Sequence, residues 1–526
     1  MGLREGRFIL LATLLASGVA FLMGTAVVVA LPTVQSYFVA DVAGIQWVVS
    51  AQLLALTSCL LVGGAIGDRY GRKRSLIVGI LVFAGSSGLS SVAQSIGQLI
   101  AFQALQGAGA ALMIPQSLAI INASFLEEHR GKVIGLWASL SGGVAALGPW
   151  LGGWLVDTFS WRAVFILPVP ILLTAAVVAV RHVPETRRFS DYPLDWKGTV
   201  FVLLGLLALA YGLVMGPERE WTNPSIIGAL LFAPLLLAVF AFIERREKNP
   251  LVPADIVKNT LVISANTVTL LLYFVLNGVI FYLTLNLQQV QGFSASRAGL
   301  ALLPPVIIIT VFAGPAGALA DKLGPRTQMI WGPATVGAGA ILLAFTGTRA
   351  DYVRDVLPGL ILLGIGMALT IAPLTKSALA VRAELSGAAS GFNNAVSRLA
   401  ALLAVAVLGA VLVTSFGMHL DSKLAESPLS RDERAVLLER TDRLADMRLP
   451  EDFGVEARAF SEKAIEESFV AAFRNSMLLS GGLALLSSVI SFVLIRPMRY
   501  RGNEETCVQC HPVPSVHIPP STKNGD

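Results

Sequence analysis

From the amino end onward, the chain alternates long apolar blocks with short loops rich in charge, glycine and proline. The blocks are about 20 residues or longer, enough for a helix to cross a bilayer. They predict fourteen transmembrane helices, at 8–31, 46–66, 75–93, 99–122, 133–156, 163–181, 198–216, 226–243, 262–285, 298–318, 327–346, 355–379, 386–415 and 473–495. The first block follows Arg4 and Arg7 as a signal peptide would. It runs on to Leu31 and Pro32 without a convincing cleavage site, which predicts a retained helix.

Of the 526 residues, 55% are apolar and 14% charged, against about 25% charged in soluble domains. That balance predicts an all-α membrane protein and excludes a soluble enzyme. Cys59, Cys507 and Cys510 are the only cysteines, too few for a disulfide framework. The net charge of +5 matters through its placement. Loops after the even-numbered spans, together with both tails, hold most of the bases, among them Arg69, Arg72, Lys73, Arg74, Arg130, Lys132, Arg187, Arg245, Lys322, Arg326 and Arg382. The short opposite loops hold only Arg162, Arg219, Arg297, Arg349 and Arg354. The positive-inside rule therefore places both termini in the cytoplasm, in a multi-pass protein of the cell membrane. The opposite loop at 416–472 is long enough to be exempt, and carries 13 acids and 8 bases. Its run from Arg431 to Arg440 predicts a charged surface helix, either a solvated cap over the outer mouth or a docking element for a partner.

Two loops repeat one pattern. Residues 64–73 read GAIGDRYGRK and residues 317–326 read GALADKLGPR. A carboxylate beside several bases at a helix end can form a latch whose charges pair in one conformation and part in another, and the glycines let the helix ends pack closely. The gating candidates are thus Gly64, Asp68, Arg69, Gly71, Arg72, Asp321, Lys322, Gly324 and Arg326. Duplication at equivalent places points to a transporter of two pseudo-symmetric bundles rocking about a central site. The repeats lie eight spans apart, so two spans sit between the bundles. The expected organisation is an N-terminal six-helix bundle at 1–181, a linker with two extra helices at 182–261, a C-terminal six-helix bundle at 262–497, and a disordered cytoplasmic tail at 498–526.

With these features the chain resembles the fourteen-helix drug:proton antiporter branch of the major facilitator superfamily. Gly148-Pro149-Trp150-Leu151-Gly152-Gly153 matches that branch's GPxxGG antiporter signature. Trp161-Arg162, the stretch Leu287 to Gly292, and Ala389 to Asn394 with Arg398 fit as well. The resemblance implies a major facilitator fold, efflux by alternating access, proton antiport, and a hinge role for Gly148, Pro149, Gly152 and Gly153. Read physically, the same glycines and proline form a bendable face for close helix approach.

The branch's coupling residues are replaced here. Met23 stands at its acidic position in the first helix and Gln103 at its arginine in the fourth. No Asp or Glu lies near the middle of any span, and all five histidines lie outside the spans. Proton-driven transport generally needs a titrating group near the midplane, so the residues themselves predict weak proton coupling, with Asp41 or Asp157 at helix ends as the remaining carriers. Arg398, a fixed charge without a buried acidic partner, favours an anionic or zwitterionic solute. The candidate substrate pathway is Gln52, Gln103, Gln106, Asn266, Tyr273, Asn277, Asn393, Asn394 and Arg398. Amides and aromatics there either hold an amphipathic solute or join helices.

Cys507-Val508-Gln509-Cys510-His511 fits the haem-attachment pattern, but in a short tail on the cytoplasmic side it reads as a chance match, with a loose metal site or a redox-sensitive thiol pair as the alternative. No GxxxxGK[ST] phosphate loop is present, so ATP-driven pumping has no support. The leading expectation is a monomeric, non-enzymatic secondary transporter exporting small amphipathic molecules, multidrug efflux included, with protons and the bilayer as partners. No cofactor, metal or nucleic acid is expected. The alternatives are an uncoupled facilitator and a receptor or scaffold that keeps the fold without transporting.

Overall fold

In lipid the backbone can satisfy its polar groups only internally, and apolar blocks of this length therefore close into helices. The computed structural model describes residues 3–125, 127–186, 196–247, 250, 253–381, 385–427, 429–447, 449–450 and 453–495. Among the described residues there is no strand. The first half comprises α1 (Leu3–Phe38), α2 (Val42–Tyr70), α3 (Arg72–Ser91), α4 (Ile96–Ser124), α5 (Glu127–Thr158), α6 (Trp161–Ile166) and α7 (Pro168–His182). A pair follows, α8 (Trp196–Arg219) and α9 (Pro224–Arg246), then the short α10 (Ala254–Lys258). The second half comprises α11 (Thr260–Leu285), α12 (Ala295–Ala301), α13 (Leu303–Leu323), α14 (Pro325–Leu343), α15 (Leu357–Ala378), α16 (Ser386–Ala425), α17 (Arg431–Glu439) and α18 (Val455–Leu494).

Among the described residues, thirteen helical stretches are long and apolar enough to cross a membrane. The span expected at 327–346 is α14, 19 residues long, where Gln328, two prolines and several glycines dilute the apolar signal. Close packing places it instead. A Cβ at Gly332 would stand 2.8 Å from the carbonyl oxygen of Gly366, and one at Gly339 2.6 Å from that of Gly359, so α14 and α15 meet backbone to backbone. The sixth and tenth spans are each divided, α6 from α7 at Leu167 and α12 from α13 at Leu302.

The largest departure from the expected spans is at 416–472. α16 and α18 each run 40 residues, about 60 Å at 1.5 Å per residue against about 30 Å of hydrocarbon. Much of the expected loop is therefore helix continuing out of the membrane, which hydropathy alone does not mark. At its tip, α17 covers the charged run and starts with a capping box between Ser430 and Glu433. Lys423 on α16 pairs with Glu467 on α18, and Leu420, Leu424, Leu437, Leu444 and Phe469 bury an apolar core beneath the tip. Leu444 has φ 55° and ψ −133°, a backbone state that costs about 1–3 kcal/mol. We call this protrusion the cap, the side of the molecule that carries it the cap end, and the opposite side, where α1 begins and α18 finishes, the tail end.

α8 and α9 pack on each other, and α8 also packs on α2 and α16, one from each half. The extra pair thus lies along the boundary between the bundles.

Candidate functional site

The repeated loops have repeated geometry. Gly71 closes α2 with φ 112° and Gly324 closes α13 with φ 80°, a turn in which a side chain is strained. In the first copy, Asp68 accepts two bonds from Arg72, at 2.7 and 2.9 Å, while Arg72 also reaches the carbonyl oxygen of Ala119 at 3.2 Å. Lys73 donates to the carbonyl oxygen of Val180 at 2.7 Å, and its backbone N–H to Glu185 at 3.1 Å. Arg69 lies over the Tyr70 ring at 5.6 Å, and Gly64 sits on Pro115. The first copy is therefore tied to its own bundle and to the start of the linker at Glu185. In the second copy Arg326 donates to the carbonyl oxygen of Phe492 at 2.9 Å and covers its ring. The side chains of Asp321 and Lys322 lie outside the described residues.

The α5 signature has two faces, offset by one residue. Gly148 and Gly152, four apart, pack α5 on α1: their Cβ positions lie 2.8 Å from the oxygen of Leu22 and 2.7 Å from that of Ala26. Pro149 and Gly153, also four apart, cross to the other bundle. A Cβ at Gly153 would stand 2.3 Å from the oxygen of Ala295, and one at Gly299 2.1 Å from that of Pro149. α5 and α12 thus interlock small residue against backbone, as close helix pairs do in membranes. One turn on, Asp157 accepts the backbone N–H groups of Ala295 at 3.2 Å and Ser296 at 2.8 Å.

A second cross-boundary node joins α2, α11 and α16. Tyr282 donates to the carbonyl oxygen of Val405 at 2.5 Å, and Gln46 donates to the Tyr282 hydroxyl at 3.4 Å. Gly409 leaves the room, since its Cβ would meet Gln46 at 2.1 Å. Beside this node Gln288 donates to the oxygen of Val29 at 3.0 Å and Gln289 to Gln35 at 2.9 Å. Reading the sequence singled out the 287–292 stretch but missed Gln46, Tyr282 and Gly409, whose partners lie hundreds of residues away. These cross-boundary bonds all lie at the cap end, so the bundles are shut there.

The expected pathway residues divide into two groups. Gln103 is fully buried and donates to Ser90 at 3.2 Å, and Gln52 donates to the fully buried Gln106 at 3.3 Å. All three are engaged inside the N-terminal bundle. On the other side Asn393 donates at 3.0 Å to both Asn266 and Thr269, joining α16 to α11, while Asn277 and Asn394 bond the carbonyl oxygens of Tyr273 and Ser390 in their own helices. Asn394 is exposed. Arg398, about a third of the way along α16, reaches across to α1, its guanidinium 5.4 Å from the Phe21 ring centre. Phe21 in turn meets Trp137 edge-on at 6.5 Å. Gly24, one turn beyond Phe21, is exposed and has nothing within 4 Å of its Cβ position. Met23, at the branch's acidic position, is fully buried. The Cys507, Cys510 and His511 cluster and the tail at 498–526 lie outside the described residues.

Known proteins share this architecture and sequence. The chain is 31% identical over 435 residues to the multidrug resistance protein Stp of Mycobacterium tuberculosis, covering 82% of this chain and 81% of that one. It is 34% identical over 415 residues to the puromycin resistance protein pur8 of Streptomyces alboniger, covering 76% and 81%. The tetracenomycin C resistance and export protein of Streptomyces glaucescens is 29% identical over 495 residues, covering 91% and 90%. Among solved structures, a bacterial homolog of the human lysosomal transporter Spinster, in an inward-facing conformation, superposes with a TM-score of 0.65 at 17% identity, covering 94% of this chain and 98% of that one. The profile of the Major Facilitator Superfamily matches residues 13–405, and with two bundles, an extra helix pair and relatives of this kind, the chain belongs to that superfamily of secondary transporters.

Proposed function

We propose that this transporter exports small amphipathic molecules bearing a negative charge or a zwitterionic headgroup, from the cytoplasm across the cell membrane. The observation that carries the reading is Arg398, held over Phe21 in the first third of α16, with Gly24 exposed one turn beyond Phe21. A guanidinium in the membrane interior, with no carboxylate near the middle of any span, attracts an anion, while Phe21, Trp137 and Tyr273 offer flat apolar contact to the rest of the solute. Relatives named for antibiotic resistance and export support the direction. The distribution of bases supports both termini in the cytoplasm, which makes the cap extracytoplasmic and the present state inward-open. On this reading Asp68 and Asp321 serve as cytoplasmic gate latches, Gly148, Pro149, Gly152 and Gly153 set how tightly the outer side seals, and the pathway runs between Asn393, Asn394, Tyr273, Asn277 and Arg398. The working unit is a monomer, coupled weakly to protons because Met23 and Gln103 replace the branch's charged pair.

The test is reconstitution in proteoliposomes with planar aromatic carboxylates, zwitterions and lipophilic cations, each with and without a pH gradient. A gradient of one pH unit supplies about 1.4 kcal/mol per coupled proton, hence about tenfold accumulation. Movement of anions and zwitterions with little response to the gradient is expected. Movement of cations alone would sink the substrate class, and strong uphill movement driven by the gradient would restore stoichiometric proton antiport.

A further inference from the structure

Where the cap meets the N-terminal bundle, three observations coincide. The turn at 441–446 docks on α1: Ser36 donates to Asp446 at 2.8 Å, and Gln35 donates to the backbone oxygen of Arg443 at 3.3 Å. That turn is carried by α16 and α18 of the other bundle, so these bonds must break whenever the cap end opens. The turn also holds Leu444 fully buried in a backbone state that leucine rarely adopts, which is retained only while the surrounding contacts impose it. Beside the turn, a small cavity is walled by Asp41 at the start of α2, Glu218 in the last turn of α8, and Asp442 of the turn itself, with Gln46, Gly409 and Val413 nearby. Three carboxylates from three elements converge there as the cap docks. The bases facing them are Arg219 on α8 and Arg440 and Arg443 at the turn, and the α16 wall at Gly409 and Val413 brings no charge.

We propose that the 441–446 turn is a strap that holds the bundles shut at the cap end, and that acid in the cap-end solvent tightens it. Docking buries Asp442 and brings it toward Asp41; both effects push its carboxyl up from its ordinary value, and Arg443 and Arg440 only partly oppose them. An undocked Asp442 faces water and returns to its ordinary value. A carboxyl with a higher pKa docked than free favours docking when protonated. The gain is fully present below the undocked value and is lost as pH rises through the raised one. Acid therefore holds the strap down and neutral or alkaline solvent frees it.

The side of the membrane involved rests on the orientation proposed above, but lipid nanodiscs expose both faces and test the strap whichever way the chain inserts. In the full chain, with its three cysteines changed to serine, spin labels go at Val92→Cys beyond α3 and Ala435→Cys on α17, both exposed. Distances between the labels are measured by double electron–electron resonance at about pH 3.5 and about pH 7, which bracket the carboxylate range. The expected result is one short distance in acid and a longer population growing several-fold at the higher pH. Asp442→Asn should keep the short distance at both, and Ser36→Ala should enrich the long one at both. A wild-type distribution that ignores pH, or an Asp442→Asn chain with the full pH response, overturns the acid sensitivity. A Ser36→Ala chain identical to wild type overturns the strap.

Discussion

Replacing Gly153 with alanine isolates the face of α5 that crosses between bundles. The new Cβ would stand 2.3 Å from the oxygen of Ala295, 2.5 Å from its carbonyl carbon and 2.7 Å from the nitrogen of Ser296. All three are backbone atoms, so no rotamer change relieves the clash. Comfortable contact starts near 3.5 Å, so the helices must part by about 1 Å at this point. Overpacking of this kind costs about 1–3 kcal/mol, and here it is felt only while the cap end is shut. The ratio of shut to open molecules should therefore fall by about 5- to 150-fold, the equivalent of that energy. Spin labels at Phe159→Cys and Val353→Cys, both exposed at the cap end, should report a new long distance. Gly148→Ala is the matched comparison, because its Cβ would strike Thr25 and the oxygen of Leu22 inside one bundle. It should lower thermal stability and leave the label distance unchanged. A Gly153→Ala protein with the wild-type distance distribution would refute the idea that this glycine seals the cap end.

Asp68→Asn removes the negative charge that Arg72 pairs with, leaving only a neutral amide oxygen to accept its bonds, and should reduce transport about tenfold or more while membrane insertion, read by protease protection, stays intact; full activity at matched expression would remove the gating role. Arg398→Lys keeps the charge and loses the planar donor fork, so binding of an anionic substrate should weaken less than in Arg398→Ala. An Arg398→Cys thiol that resists water-soluble reagents in every state would end the pathway assignment. Gly409→Ala would drive a methyl to 2.6 Å from the Tyr282 hydroxyl and 2.1 Å from Gln46, and should lengthen the distance between labels at Phe159→Cys and Val353→Cys; an unchanged distance would show that the node does not gate.

The positions of the helices were legible because apolar length is a strong signal, and the repeated loops because only glycine suits the turns at Gly71 and Gly324. The roles of the amides were not. Gln103, engaged by Ser90, and Asn394, exposed on α16, have the same composition signature in a span, since polar side chains there either pair helices or line water. The two faces of the α5 signature were present in its spacing, Gly148 with Gly152 and Pro149 with Gly153, but nothing local says which neighbour each face meets. Hydropathy was silent on the outward run of α16 and α18, where charge returns and the helix simply continues.

That run has a mechanical consequence. A continuous helix converts angle into displacement, and the stretch of α16 from Arg398 to Ala425 is about 40 Å long at 1.5 Å per residue. A tilt of about 10° at the arginine would carry the far end about 7 Å sideways, well beyond the reach of a hydrogen bond. A change small enough to be absorbed by side chains around Arg398 is therefore large enough to tear Ser36 from Asp446. If the proposed pathway passes Arg398, the solute and the cap sit at the two ends of one lever arm.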